Sequence, residues 1–222
     1  NILGANFPGG VSLFTGVNEN IGWAHTLNFV DLTDVYKLTI HPNDKLKYKF
    51  DGKWETLEER TLKLKVKLFS GIRIPVKKTF YRSKHGPVIK NENGYYAVRF
   101  PANMDIRAAE QWYHMSKAAN YKEFYNALQM QGLISTNIIY ADRQHNIFYI
   151  CNAKLPHRDP AYNWKKVLPG DTSATLWKPI FTPIDSLPQY MNPPCGYLFN
   201  TNNASCNATC QEHNLLPDSY NP

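Results

Sequence analysis

Between residues 46 and 100 the chain alternates apolar and polar side chains in short runs, and each run stops at residues that can reverse the backbone. The breaks are Asp51-Gly52, Ser70-Gly71, His85-Gly86 and Glu92-Asn93-Gly94. Gly and Asn tolerate the positive φ that tight reversals require. Period-two alternation between such breaks predicts a meander of strands near residues 46–50, 59–68, 72–81, 87–90 and 95–100. In Leu62-Lys63-Leu64-Lys65-Val66-Lys67-Leu68 the alternation is strict, the pattern of a strand with one buried and one solvated face.

Ahead of the meander, residues 21–26 and 34–40 read as strands joined by a polar connection, the second closed by His41-Pro42-Asn43-Asp44. Behind it the period becomes helical. Ala108, Trp112 and Met115, then Phe124 and Leu128, recur at helical spacing, and Asn120 before Tyr121-Lys122-Glu123 has the chemistry of an N-cap. Helices are therefore expected over residues 104–117 and 121–131, followed by a hairpin of residues 134–140 and 146–152 around Arg143-Gln144-His145. The remainder is Pro-rich and irregular, with little periodicity before residues 196–200; such stretches line sites or cover sheet edges. These elements describe an α+β fold. With 222 residues and 43% hydrophobic content, one domain over residues 1–222 can bury a full core, residues 46–100 being its β-rich subregion. No apolar run approaches the roughly 20 residues of a membrane-crossing helix, so no membrane span is expected.

The formal charge of +7 comes from 25 basic and 18 acidic residues, and much of the excess lies between Arg60 and Lys90. The Arg and aromatic interleaving that stacks nucleic-acid bases is missing there, so a solvated strand face is the preferred reading and no nucleic-acid partner is expected. Binding of anionic polymers stays open as a separate class of function. Four cysteines stand at 151, 195, 206 and 210. Cys206 and Cys210 fit half a metal site, a local disulfide, or two bridges with the other pair, and spacing alone does not choose. Only His213 lies close enough to help a zinc site, which favours a disulfide in an oxidising compartment and a periplasmic or secreted location. Asn203-Ala204-Ser205 and Asn207-Ala208-Thr209 are glycosylation sequons, of consequence only in a host that modifies secreted proteins.

The densest chemistry lies in residues 22–36, where Gly22-Trp23-Ala24-His25-Thr26-Leu27-Asn28 runs into Asp31-Leu32-Thr33-Asp34. With Phe7-Pro8-Gly9-Gly10 and Gly16-Val17-Asn18 before it, this stretch resembles the catalytic β subunit of the penicillin acylase family of N-terminal nucleophile hydrolases, with wording similar to the acyl-homoserine lactone, cephalosporin and aculeacin acylases. The later motifs follow in the family's order: His85-Gly86-Pro87, Asn137-Ile138-Ile139-Tyr140-Ala141-Asp142, Leu155-Pro156-His157-Arg158, Leu168-Pro169-Gly170, Trp177, Leu187-Pro188, Asn192-Pro193 and Asn200-Thr201-Asn202-Asn203. The resemblance implies part of a four-layer αββα sandwich and hydrolysis of a linear amide through an acyl-enzyme. Its implied substrate is an N-acylated small molecule such as an acyl-homoserine lactone or a β-lactam side chain.

The resemblance also assigns residues. In the family the nucleophile is the first residue of an autoprocessed β subunit, and its α-amine, with an ordinary pKa near 8, is the base. Asn1 is no such nucleophile, so the chain is expected to be an internal piece whose partners are the α subunit and the rest of the β subunit. The backbone N–H of Leu27 and the side-chain amide of Asn202 fall at the oxyanion donors. From composition alone Asn202 reads as a turn residue. Trp112, Thr136 and Ile138 fall near the acyl pocket, where Met and aromatic residues otherwise read as core. His25 belongs to the same substrate wall, as a buried, hydrogen-bonded histidine rather than a general base, and His85 reads as a strand-end histidine. No cofactor is required. A structural calcium is implied at Asp31, Thr33 and Asp34, since carboxylates three apart flanking a carbonyl offer hard oxygens; helix-like capping or surface charge explains the same residues. A non-catalytic relative that binds acylated amides is the alternative function.

Overall fold

The structure, a computed structural model, describes residues 1–69 and 71–216. Ser70 of the anticipated Ser70-Gly71 turn lies outside them. The chain divides into two compact units, one of Asn1–Leu32, Met104–Pro156 and Ile180–Pro222, the other of Thr33–Asn103 and His157–Pro179. Few helices and several sheets make up the fold, in keeping with the α+β expectation.

The first unit carries a six-stranded sheet whose spatial order is Ile2–Ala5, Thr15–Asn18, Ile21–Thr26, Ser135–Asp142, Ile147–Ala153 and Gln189–Met191, every neighbour antiparallel. Helix α1 (Ala108–Lys117) and helix α2 (Tyr121–Leu128) bury Met115, Phe124, Ala127 and Leu128 against Trp23, Ile138, Tyr140 and Phe148 of the sheet. Alternation along Ser135–Asp142 sends Thr136, Ile138 and Tyr140 to the face of the core and Asn137, Ile139 and Ala141 to the other. That other face is an apolar trough of about 570 Å³, floored by Gly22, Ala24, Ile139 and Ala141 and flanked by Leu3 and Val17.

Caps explain the helix boundaries. Asn120 accepts the Glu123 N–H at 3.0 Å while the Glu123 carboxylate accepts the Asn120 side-chain amide and the Ala119 N–H, each at 2.9 Å, a relative of the capping box that reaches one residue before the cap. Helix α2 ends at Leu128 rather than 131 because Gln131 turns to φ 47°. Helix α1 begins at Ala108 rather than 104. Asp105 accepts the Arg107 N–H at 3.0 Å and forms ion pairs of 2.8 Å with Arg107 and Lys154, which holds residues 104–107 outside helical geometry. In the hairpin that follows, Asp142 accepts the N–H groups of Gln144 and Asn146 and His145 takes φ 64°.

In the second unit the strand order is Leu168–Pro169, Asp34–Lys37, Gly94–Arg99, Gly86–Asn91, Arg73–Ser83 and Glu58–Lys67, beside a small sheet of Ile40–His41, Asp44–Phe50 and Lys53–Thr56. The meander appears nearly as read. The strand anticipated over 34–40 instead breaks after Lys37 and resumes as Ile40–His41 in the small sheet, and Lys53–Thr56 is an additional strand. The alternation in residues 62–68 is present, but its apolar face is not buried. Leu64 pairs with Val76 and Val66 with Ile74 across the hairpin, and all four are 37–42% exposed.

Near the end of the chain no strand forms over residues 196–200, and Gln189–Met191 takes the sheet position instead. A disulfide joins Cys195 to Cys210, not Cys206 to Cys210, and leaves Cys151 and Cys206 as thiols. The fifteen-residue separation of the bridged pair encloses the turns that carry Asn200 and Asn202.

Candidate functional site

The Ile21–Thr26 strand gives way to an irregular segment over residues 27–33, and its last residue faces Asn137 across the sheet. Directly opposite side chains on antiparallel strands lie on one face, so Thr26 and Asn137 meet by register. The two N–H groups of the buried Asn137 amide are shared among Leu27 O at 2.8 Å, Thr26 Oγ1 at 3.1 Å and Asn200 Oδ1 at 3.1 Å. Its own oxygen accepts the Tyr149 hydroxyl at 2.9 Å. Burial pushes that phenol far up, so it stays a neutral donor.

Asn200 Oδ1 is a second hub, accepting the Thr26 hydroxyl and, at 3.0 Å, the backbone N–H of Asn202. Asn202 sits at φ 66°, a left-handed conformation that asparagine tolerates better than most residues. From there its Nδ2 donates to Leu27 O at 3.1 Å. Residues remote in sequence therefore converge, with Leu27 and Asn202 in contact at an exposed edge. One of the two Nδ2 hydrogens is spent on Leu27 and the other remains for an incoming group. Asn28 is pinned as well, donating to Asn152 O at 2.9 Å and accepting from Ser135.

The substrate-wall residues gather on the opposite face. His25 Nε2 accepts the Trp112 indole N–H at 3.1 Å, and its Nδ1 lies 3.3 Å from Thr136 Oγ1. Because Nε2 is the acceptor, the ring proton of neutral His25 sits on Nδ1 and points to Thr136. Burial lowers the His25 pKa to about 4, so the imidazole is neutral at physiological pH and its remaining lone pair is occupied. Phe14 packs 4.8 Å from the imidazole and completes an aromatic cluster. Ile138 is fully buried among core residues and reaches a ligand only through its neighbours.

Thr33 and Asp34 belong to the second unit. Asp31, in the first, and Thr33 are exposed, whereas Asp34 is buried and accepts Arg158 Nε at 3.0 Å and Trp177 Nε1 at 2.5 Å. Arg158 also lies over the rings of Trp164 and Trp177. Among the described residues no group of three or more His, Cys, Asp or Glu is placed to hold a metal. His85 lies buried at the turn between two strands, 4.3 Å from the Tyr36 ring, and burial, with the Arg99 charge as a smaller cause, lowers its pKa to about 4.

The sequence reading did not single out Thr26, Asn28, Asn137, Tyr149 or Asn200 for a role. An amide side chain directly before the apolar run Ile138-Ile139-Tyr140 of a strand was the available signal, since a buried amide demands partners.

The penicillin amidase family matches the chain over residues 1–222. An acyl-homoserine lactone acylase PvdQ of Pseudomonas fluorescens (strain Pf0-1) is 29% identical over 196 residues, covering 80% of this chain and 25% of the relative. Penicillin G acylase of Escherichia coli is 27% identical, covering 89% of this chain and 23% of the relative. The solved thermostable penicillin G acylase of Alcaligenes faecalis superposes with a TM-score of 0.77 at 29% identity, over 88% of this chain and 35% of that one. The chain thus spans about a quarter of the length of these curated relatives.

Proposed function

The chain belongs to the penicillin amidase family, and from that premise we propose that it supplies the oxyanion side of an active site that hydrolyses a linear amide between an acyl chain and an amine-bearing group. The convergence of Leu27 and Asn202 carries this reading. Attack on an amide carbonyl moves negative charge onto its oxygen, and donors held in place beforehand stabilise that charge without reorganising. The Leu27 N–H and the second Nδ2 hydrogen of Asn202 are these donors. The nucleophile and its α-amine base come from the autoprocessed remainder of the β subunit, which forms the acyl-enzyme and releases it to water.

The partners of this piece are the rest of that subunit and the α subunit. The open trough on the face of Ile139, Ala141 and Ala24 suits a second sheet, because Gly and Ala let a packed layer approach closely. The relatives' names suggest acyl-homoserine lactones or penicillin-type amides as substrates, with a role in antibiotic biosynthesis among the outcomes. The aromatic cluster of Phe14, His25 and Trp112, with Thr136 beside His25, forms the wall that selects the acyl group. A periplasmic or secreted location accords with the Cys195–Cys210 disulfide.

The residues present do not fit a structural calcium. Arg158 already offsets the charge of the buried Asp34, and a dication would have to displace a partly buried, hydrogen-bonded guanidinium. No step is assigned to a metal. Chelation with EDTA is expected to shift the melting temperature of the full gene product by less than about 1 °C, since the Asp34 carboxylate is already paired with Arg158. A drop of several degrees that calcium restores would reverse this conclusion.

The whole reading is tested by incubating the full gene product with N-acyl homoserine lactones and phenylacetyl and longer-chain amides, and identifying its processed N-termini. Release of the free amine, abolished when the new N-terminal Ser, Thr or Cys is replaced by Ala, supports amide hydrolysis. Binding without turnover would leave the non-catalytic relative.

A further inference from the structure

The two donors assigned to the oxyanion sit on segments that share no secondary structure, residues 27–28 just after one strand and residues 200–202 in a loop. Something must hold their separation, because donors displaced by about 1 Å lose much of their effect. Thr26 reaches Asn200 and Asn202 reaches Leu27 directly, and Asn137, from a third segment, grips both sides, donating to Leu27 O at 2.8 Å and to Asn200 Oδ1 at 3.1 Å. Its conformation is itself fixed. It is 2% exposed, stands mid-strand opposite Thr26, and its oxygen is held by the Tyr149 hydroxyl. Asn200, gripped this way, in turn accepts the Asn202 N–H at 3.0 Å and so sets the left-handed turn that aims the Asn202 amide.

We propose that Asn137 is a positioning residue of the hydrolytic site, a clamp that ties the Leu27 backbone to the loop of residues 200–202 and fixes the spacing of the two oxyanion donors. This rests on the amide-hydrolysis reading above. Asn137 does not meet the substrate; it acts through Leu27 and Asn202. An amide is the group the position demands, since one end must donate to Leu27, Thr26 and Asn200 oxygens while the other accepts from Tyr149. A carboxylate of the same shape would keep the Tyr149 bond and set an oxygen against those three acceptors.

The test is Asn137→Asp in the full gene product, read by steady-state kinetics across pH and by hydrogen exchange at the Asn202 backbone amide. At pH 8 kcat is expected to fall about tenfold with KM within about twofold, as for donors misplaced rather than removed. The deficit is expected to narrow as pH falls, because the introduced carboxyl regains one donor once it is protonated. Exchange at Asn202 is expected to rise about tenfold while amides of helices α1 and α2 keep wild-type rates. Unchanged kcat at pH 8, a loss confined to KM, or unchanged Asn202 exchange would overturn the clamp. If the wild-type protein turns over no amide at all, the hydrolysis reading fails, and the exchange measurement alone decides whether Asn137 holds the loop.

Discussion

Replacing Asn202 with Ala in the full gene product is expected to lower kcat for amide hydrolysis by roughly 10²–10³-fold, about 3–4 kcal/mol of lost transition-state stabilisation, while KM changes little. The split follows from where the charge is. A ground-state carbonyl oxygen is a weak acceptor, but the tetrahedral intermediate carries a full oxyanion, so a fixed N–H is worth more there. Asn202 is suited to the task because its amide donates without titrating and one of its hydrogens is already committed to Leu27 O at 3.1 Å, which orients the other. The side chain is exposed and packs against little, so its removal leaves no cavity in the core and stability stays near wild type. Equal losses in kcat for Ala and for substitutions of exposed neighbours would show instead that the loop as a whole had shifted. A loss confined to KM would make Asn202 a substrate-binding residue.

Much of the frame behind this site is local physics and therefore legible. The Ile21–Thr26 strand, the Asn120 cap with its reciprocal Glu123 and the turn at Asp142 are each encoded within a few residues. What the sequence hid depends on distant chain. Nothing near Cys210 says that Cys195 rather than Cys206 bridges it, because the choice rests on how the loop of residues 196–209 folds back. Alternation in residues 62–68 shows that one face is apolar but not that a neighbour covers it, and here that face stays in water. The clamp of Asn137 was unreadable for the same reason. Its partners lie at positions 26, 27, 149 and 200, and only strand register and loop closure bring them together. The expectation of calcium at Asp34 rested on local spacing and on the resemblance, and neither revealed that this carboxylate meets Arg158, more than a hundred residues away.

Acid is expected to destabilise the protein before its carboxylates titrate. His85 is fully buried against Tyr36 and Phe50, and its pKa is lowered to about 4, whereas an unfolded histidine titrates near 6.5. Between these values the unfolded state binds a proton that the native state refuses, so stability is complete above pH 6.5 and is lost as pH falls toward 4. The sign is that of a group whose native pKa is depressed. One such histidine accounts for about 3 kcal/mol over that window, a large share of the roughly 5–15 kcal/mol that holds an ordinary domain together. His25, neutral beneath Phe14 and Trp112 with its pKa also lowered to about 4, acts in the same direction in the other unit. Unfolding the full gene product in urea at pH 7.5, 6, 5 and 4 measures the effect. His85→Phe, which keeps a ring between Tyr36 and Phe50, isolates it, and the variant should lose about 3 kcal/mol less than wild type between pH 7.5 and 4. Parallel curves for the two proteins would mean that water or a rearranged Arg99 admits the proton to His85, and that its burial carries no such penalty.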